Sequence, residues 1–378
     1  FKVACALLGE DAYDLLDLAA VSTVADSVPL VGENRDIVFE GLKRINTRPR
    51  EALKYLLAGK KEEISAQSLA FTIAPRVNAA GRMGDANCAL KLFTSKDSAE
   101  IYELACKLGE YNIERQQLCD EVYRSAKEQI AESGGAYGNI IMLCGEDWST
   151  GLVGIVAAKI AEEFNRPAIL FVKHGDMLKG SARTIENVNI YEALRSCSEF
   201  IEEFGGHAQA AGVNVRAENF ERLKNALDDY LGETYTAEDF APVLSVCEDI
   251  DFKIDLALVR ELEKLEPCGV GNKKPLFSVT AHALEARRLK DGSPHIAVEA
   301  SELELVWFGG EKALPLLAAD LPKKIVFECG ISRFRGEETP RGIVRDMVCS
   351  AELTDLSRLY CFRNDLQRLR APQPPLSA

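Results

Sequence analysis

One histidine follows two glycines and leads into small residues: Gly205-Gly206-His207-Ala208-Gln209-Ala210-Ala211-Gly212. Such a stretch lets a phosphate or nucleotide come close to the backbone, with imidazole as donor or proton shuttle. The plainer alternative is a buried structural histidine in a turn. Upstream, Gly180-Ser181-Ala182-Arg183 places a hydroxyl and a guanidinium two residues apart at a strand edge. A hydroxyl donates to a phosphate oxygen while arginine forks two more. Gly145 to Gly154 reads as a strand–loop–helix junction, a natural anion site unless Ser149 or Thr150 merely caps the helix. Ile73 to Arg82 reads as a Gly/Pro/Asn-containing loop that carries Arg76, Asn78 and Arg82; their side chains suit phosphate, unless the loop is simply solvated. Finally, Thr23-Val24-Ala25-Asp26-Ser27-Val28-Pro29-Leu30 ends an apolar run at a carboxylate. An Asp just past the carboxyl end of a buried strand suits a hard ion such as Mg²⁺ or Mn²⁺, and a turn Asp capping its own backbone is the alternative.

These segments need elements to hold them. Leu15 to Val24 reads as a buried strand, followed by helical patterns from Arg35 to Arg44 and Arg50 to Leu57. From Ser95 to Ser133 apolar residues recur at helical spacing, Asp97 is placed as N-cap, and Gly109 marks a place where this helix would kink. Strands and helices then alternate: Asn139 to Cys144 (strand), Leu152 to Glu163 (helix), Ala168 to Val172 (strand), Val188 to Phe204 (largely helix), Val213 to Val215 (strand) and Glu218 to Tyr230 (helix). After the acidic linker from Gly232 to Phe240, six strand patterns follow: Leu244–Asp251, Leu276–Ala286, His295–Glu299, Glu304–Phe308, Lys324–Ser332 and Arg341–Leu353. Several short strands in so little chain suggest a small barrel, with an OB-fold the natural candidate. Phe277, Trp307, Phe308 and Phe334 would stack on bases there or, more simply, fill the core.

The net charge of −14 argues against a protein that grips duplex nucleic acid over a broad basic face. It is compatible with a nuclease that gathers carboxylates for ions and confines its basic groups to a groove. The 11 cysteines contain no CxxC pair, which points to reduced thiols and a cytoplasmic location. No stretch approaches the ~20 apolar residues of a membrane span, and no signal-like segment opens the chain. The first residue is Phe1 rather than Met, as expected of a piece of a longer reading frame.

In order, the five segments resemble the DHH/DHHA1 phosphoesterase superfamily, and within it the RecJ single-stranded-DNA exonucleases. Residues 23–30 with Gly32-Glu33-Asn34-Arg35 look like the last metal-binding motif of a DHH domain, and 145–154, 180–183 and 205–212 like a DHHA1 domain. Leu265-Glu266-Pro267-Cys268-Gly269-Val270-Gly271-Asn272 looks like the entry to a RecJ OB domain. The resemblance implies an α/β chain of the following parts: the C-terminal part of a DHH domain (1–96), a connecting helix (97–134), a DHHA1 domain (135–232), an OB-fold domain (240–353) and a flexible tail (354–378). It implies Asp26 as a ligand to Mn²⁺ or Mg²⁺. Arg76, Asn78, Arg82, Ser181, Arg183, Gly205 and Gly206 would bind substrate, and His207 would take part in catalysis. The implied partner is single-stranded DNA with a 5′ end, alongside helicases or single-strand-binding proteins. The implied reaction is metal-dependent hydrolysis from the 5′ end, releasing 5′-mononucleotides. Two other readings are a phosphodiesterase for short oligonucleotides or cyclic dinucleotides, and a non-catalytic single-strand-binding module. The Asp-His-His signature is absent, so its ligands would lie before Phe1, and this chain alone is expected to hydrolyse DNA negligibly. Where related proteins often carry a His after the Trp of the 145–154 segment, Ser149 stands here.

Overall fold

The structure is a computed structural model that describes residues 1–60, 62–134, 137–334 and 336–349. The tail expected at 354–378, and the end of the strand expected to reach Leu353, lie outside the described residues. Backbone contacts divide the chain into two compact units. One comprises 1–53, 59–74 and the described residues from 244 onward; the other comprises 54–58 and 75–243.

The first unit opens with helices α1 (Lys2–Leu8), α2 (Leu16–Ala25) and α3 (Glu33–Thr47). The apolar run that reads as a strand is therefore helix α2. Its buried residues are Asp17, Ala20 and Val21, a spacing that only a 3.6-residue period brings to one face. An unbroken apolar run does not by itself separate a buried strand from a buried helix. What decides here is packing: Gly41 of α3 lies so close to α2 that an added Cβ would stand 2.6 Å from the Leu16 carbonyl oxygen. Asp17 is 1% exposed and receives Arg50 in a forked pair, Nε to Oδ2 at 3.0 Å and Nη2 to Oδ1 at 3.1 Å. After α4 (Glu51–Leu56), helix α5 (Ala66–Ser68) passes through a π turn, Leu69–Ile73, into α6 (Ala74–Arg82). The loop expected at 73–82 is thus also helical. Pro75 sits in the first turn of α6, directly after the π turn, where a missing N–H donor is absorbed. Ala79 and Ala80 are fully buried.

The second unit contains α7 (Ala86–Thr94) and α8 (Ser98–Glu132), a continuous helix of 35 residues. Asp97 caps it, accepting from Ala99 N at 2.9 Å, and the helix runs on through Gly109. A five-stranded sheet follows in the order β1 (Ile141–Gly145), β2 (Ala168–His174), β3 (Met177–Arg183), β5 (Ala210–Arg216), β4 (Glu203–His207). β1 and β2 are parallel and the remaining pairs antiparallel. Helices α8 and α9 (Val153–Phe164) share one core with Ile141, Ala168, Leu170 and Val172. α10 (Ile190–Ser196) and α11 (Phe220–Thr234) cover the opposite face through Met142, Ile169, Phe171 and Val213. The Val188–Phe204 pattern is helical only in its first part; from Glu203 the chain is strand β4.

The rest of the first unit is β-rich. Its seven-stranded sheet has the order β6 (Glu248–Asp249), β7 (Leu276–Ala281), β11 (Lys323–Phe334), β12 (Glu337–Cys349), β10 (Leu303–Trp307), β9 (Ile296–Ala300), β8 (Ala286–Arg288). The sheet is open and consistent with the OB-type fold expected. Helices α12 (Leu256–Glu263) and α13 (Leu314–Ala318) pack on it. Lys323 is fully buried, and among the described residues no carboxylate pairs with it; its Nζ donates to the carbonyls of His282, Ala319 and Leu321 at 2.6, 2.7 and 3.0 Å. Residues 265–272 join this part to the segment after Asp26. Arg35 Nη2 donates to the carbonyls of Lys264, Leu265 and Glu266 at 3.1, 3.4 and 2.8 Å, and Leu30 N donates to the Val270 carbonyl at 2.7 Å.

Candidate functional site

Strand register assembles the central group. Antiparallel partners point to the same face of a sheet. Ser181 pairs with Gly212 and Gly212 with Gly205; Arg183 pairs with Ala210 and Ala210 with His207. Two rows of three therefore lie on the face that also carries α9. The intervening residues Ala182 and Ala211 belong to the core on the other face. α9 packs on β2 and β3 and leaves β5 and β4 uncovered. At Gly205 nothing stands within 4 Å of an added Cβ, and at Gly212 only the Gly205 carbonyl does. The result is an open floor of bare backbone, edged by Ser181, Arg183 and His207.

Glycine at 206 has a different cause. Its φ is +151°, and an added Cβ would meet the Ala210 carbonyl and, at 2.6 Å, Ala211 Cα. This glycine serves the close approach of β4 to the Ala210–Ala211 backbone, while Gly205 serves the open floor. His207 ends β4, exposed, and its Nδ1 accepts from Gln209 N at 3.3 Å, which leaves Nε2 for a ligand.

Arg183 is half-buried. Its Nη1 donates to Ser181 Oγ at 3.0 Å and to the Ala182 carbonyl at 2.7 Å. Burial, and then the positive charge of Arg82, hold its guanidinium below the usual arginine range. Arg82, at the end of α6, anchors itself by donating from Nη1 to the Gly151 carbonyl at 2.8 Å. Among the described residues neither guanidinium has a carboxylate partner. Two neighbouring cations in a partly desolvated place, in a chain of charge −14, form a site prepared for an anion.

The first turn of α9 closes this site. Ser149 and Thr150 do not cap it with their side chains; Leu152 is the N-cap and has no side-chain bond. A Cβ on Gly154 would stand 2.8 Å from Ser181 Oγ and 3.0 Å from an Arg183 nitrogen. Gly154→Ala is accordingly expected to leave the thermal midpoint unchanged or slightly raised, since alanine favours helix by up to ~1 kcal/mol over glycine. It should weaken binding of a phosphate-bearing ligand at least about tenfold by displacing Ser181 and Arg183. Unchanged affinity in a titration would show that these two side chains do not form the anion site.

The remaining candidates divide. Asn78 and Arg82, four residues apart on α6, share an exposed face. Arg76 is partly buried, and its Nη1 donates to the Leu56 carbonyl at the end of α4. Asp26 follows helix α2 as its C-cap and is exposed; it belongs to the first unit. Among the described residues no group of three or more His, Cys, Asp or Glu side chains is arranged to hold a metal ion. These residues do not fit a two-ion centre, and no hydrolytic step is assigned to them. Strand β3 went unrecognised in the sequence, and with it the opposition of Ser181 to Gly212. The alternation of small and apolar residues through Ala210–Arg216 was the available signal.

Comparison with known proteins places these elements. Residues 137–233 match the DHHA1 domain family and residues 251–346 the RecJ OB domain family. The chain is 35% identical over 370 residues to the single-stranded-DNA-specific exonuclease RecJ of Bacillus subtilis, covering 94% of this chain and 47% of that protein. It is 37% identical over 304 residues to the protein of the same name from Thermus thermophilus, covering 79% of this chain and 43% of that one. The chain thus spans about half the length of the curated relatives it matches. The crystal structure of RecJ from Thermus thermophilus in complex with Mg²⁺ superposes with a TM-score of 0.76 at 31% identity, over 89% of this chain and 52% of that one. Its Mn²⁺ complex gives the same TM-score over 49% of that chain. No helix among the described residues is long and apolar enough to cross a membrane.

Proposed function

From a chain of RecJ type, with a DHHA1 domain followed by a RecJ OB domain, we infer that its function is to capture the 5′-phosphorylated end of single-stranded DNA for exonucleolytic hydrolysis in the 5′ to 3′ direction. The observation that carries this reading is Arg183: half-buried, hydrogen-bonded to Ser181, without a carboxylate partner among the described residues and set at the edge of the Gly205–Gly212 floor. A terminal phosphate would sit against Arg183, Ser181 and Arg82, with its nucleotide over the bare backbone and His207 Nε2 beside it. Asn78 would extend the contact along α6. The phosphate groups of a strand are polyanionic, so its binding should weaken steeply with salt. The OB domain supports a substrate longer than two nucleotides, because sheets of this type track extended single strands.

Metal-dependent hydrolysis by this family is supported by the Mg²⁺ and Mn²⁺ complexes of the Thermus thermophilus protein. Asp26 is the carboxylate here that we assign to such a centre. The expected result is that the purified chain binds a 15-nucleotide single strand more tightly with a 5′-phosphate than without, with an affinity that falls as salt rises. Equal binding of a dinucleotide would favour a phosphodiesterase of short substrates. Indifference to the 5′-phosphate would remove the terminal pocket.

A further inference from the structure

Helix α8 carries one inward stripe along its length. Ile101, Ala105 and Leu108 are buried at its beginning, and Val122, Ala126 and Ile130 at its end. Cys119 packs against the same core as Val122. Spacings of three and four residues continue the stripe through Asn112 and Arg115, and these two positions alone break its apolar and small character. A polar pair at inward positions needs partners or a ligand.

The position of that pair follows from how α8 and α9 run. Lys159 pairs with Asp120 at 3.6 Å, and Lys127 pairs with Glu163. Residue numbers rise together along both helices, so they pack in parallel. Arg115 lies five residues before Asp120, and at 1.5 Å per residue this sets it beside the first turn of α9. That turn contains Gly154, against which Ser181 and Arg183 rest, and it follows Gly151, on which Arg82 is anchored. Asn112 Oδ1 accepts from Arg115 Nη2 at 3.0 Å and so orients the guanidinium. Arg115 is partly buried, its Nε is buried without a hydrogen-bond partner, and among the described residues no carboxylate pairs with it. Burial raises the Cys119 thiol above its ordinary range; the positive charges of Arg115, Arg82 and Lys159 oppose that rise and Asp120 adds to it.

α8 lies over the β1 side of the sheet and the glycine floor lies over β5 and β4, with α9 between them. His207, Arg183, Arg82 and Arg115 therefore follow one another across the start of α9. We infer that Arg115, oriented by Asn112, is a second phosphate-binding group that takes an internucleotide phosphate of the strand whose terminal phosphate lies at Arg183. This rests on the terminal-phosphate reading of the Arg183 pocket.

The test uses the whole chain and 15-nucleotide single strands with a 5′-phosphate or a 5′-hydroxyl. Arg115→Ala should weaken binding of both strands equally, about tenfold, the effect of one lost charge-assisted contact. It should also reduce the salt dependence by about one phosphate's worth. The ratio between the two strands should stay as in the unmodified protein. Asn112→Ala should give a smaller loss of the same kind, and Arg115→Lys a partial one. A second arm needs no variant: a neutral methylphosphonate at each of the first three internucleotide linkages in turn. One of these should cost the unmodified protein about tenfold and cost Arg115→Ala nothing further. If Arg115→Ala leaves both affinities unchanged while Arg183→Ala removes the phosphate gain, the inference falls and the terminal pocket stands. If Arg115→Ala removes only the phosphate gain, Arg115 belongs to the terminal pocket and the inference is likewise overturned. If the unmodified protein shows no preference for the phosphorylated strand, both readings fail together.

Discussion

Arg183→Ala is expected to abolish the affinity gained from a 5′-phosphate while changing the binding of a 5′-hydroxyl strand by no more than about threefold. The guanidinium is half-buried beside a second cation, Arg82, and held by Ser181 and the Ala182 carbonyl rather than by an acid. Its hydrogen bonds to a phosphate would form in a place already stripped of part of its water, where each charge-assisted bond contributes about 1.5–3 kcal/mol. Two such bonds in a fork amount to roughly a hundredfold to ten-thousandfold at room temperature. Lysine should not restore the gain, since a point charge on a flexible stem cannot reproduce the fork. Ser181→Ala should cost less, because it removes one neutral donor. The measurement is a titration of each variant with labelled strands at fixed salt. A retained phosphate preference in Arg183→Ala would place the terminal phosphate elsewhere.

Asp17→Ala should lower the unfolding free energy by about 3–5 kcal/mol, a large part of what a domain possesses. Asp17 is almost wholly enclosed beneath α2 and receives both forks of Arg50. Removing the carboxylate leaves a guanidinium with 30% of its side chain exposed and without the acceptor that held its Nε and Nη2. Asp17→Asn should be milder, since the amide oxygen still accepts one bond. Urea denaturation followed by tryptophan fluorescence and by far-ultraviolet dichroism would measure both. A midpoint unchanged in Asp17→Ala would mean that the pair is dispensable to the α2–α3 packing.

The chemistry of this chain was more legible than its local structure. Ser181, Arg183, Gly205 and His207 stood out by residue type, and strand register brings them to one face. The elements beneath them were harder. The Leu15–Val24 run was read as a strand because β-branched residues crowd its end; contact with Gly41 makes it a helix, a tertiary cause that a local window does not contain. Ile73–Arg82 carries Pro, Asn and Gly, the usual marks of a loop, yet a π turn and a proline in the first turn let the helix continue. Gly205-Gly206-His207 reads as a small-residue stretch that a phosphate can approach; it is the end of an edge strand, where glycine supplies an open floor at one position and a close backbone approach at the next. Asn112 and Arg115 could have been found from the sequence alone, as the two polar members of an otherwise apolar stripe.

The 35-residue helix α8 has a consequence for where this protein can be divided. The DHHA1 similarity begins at residue 137, after that helix has ended. Yet Val122, Ala126 and Ile130 share a core with Val153, Val156, Ala157 and Ile160 of α9. The segment delimited by kinship is therefore shorter than the segment delimited by packing. A polypeptide cut at the start of the similarity would present the apolar side of α9 to water and would adhere to itself. A piece that keeps this core must begin ahead of Cys119.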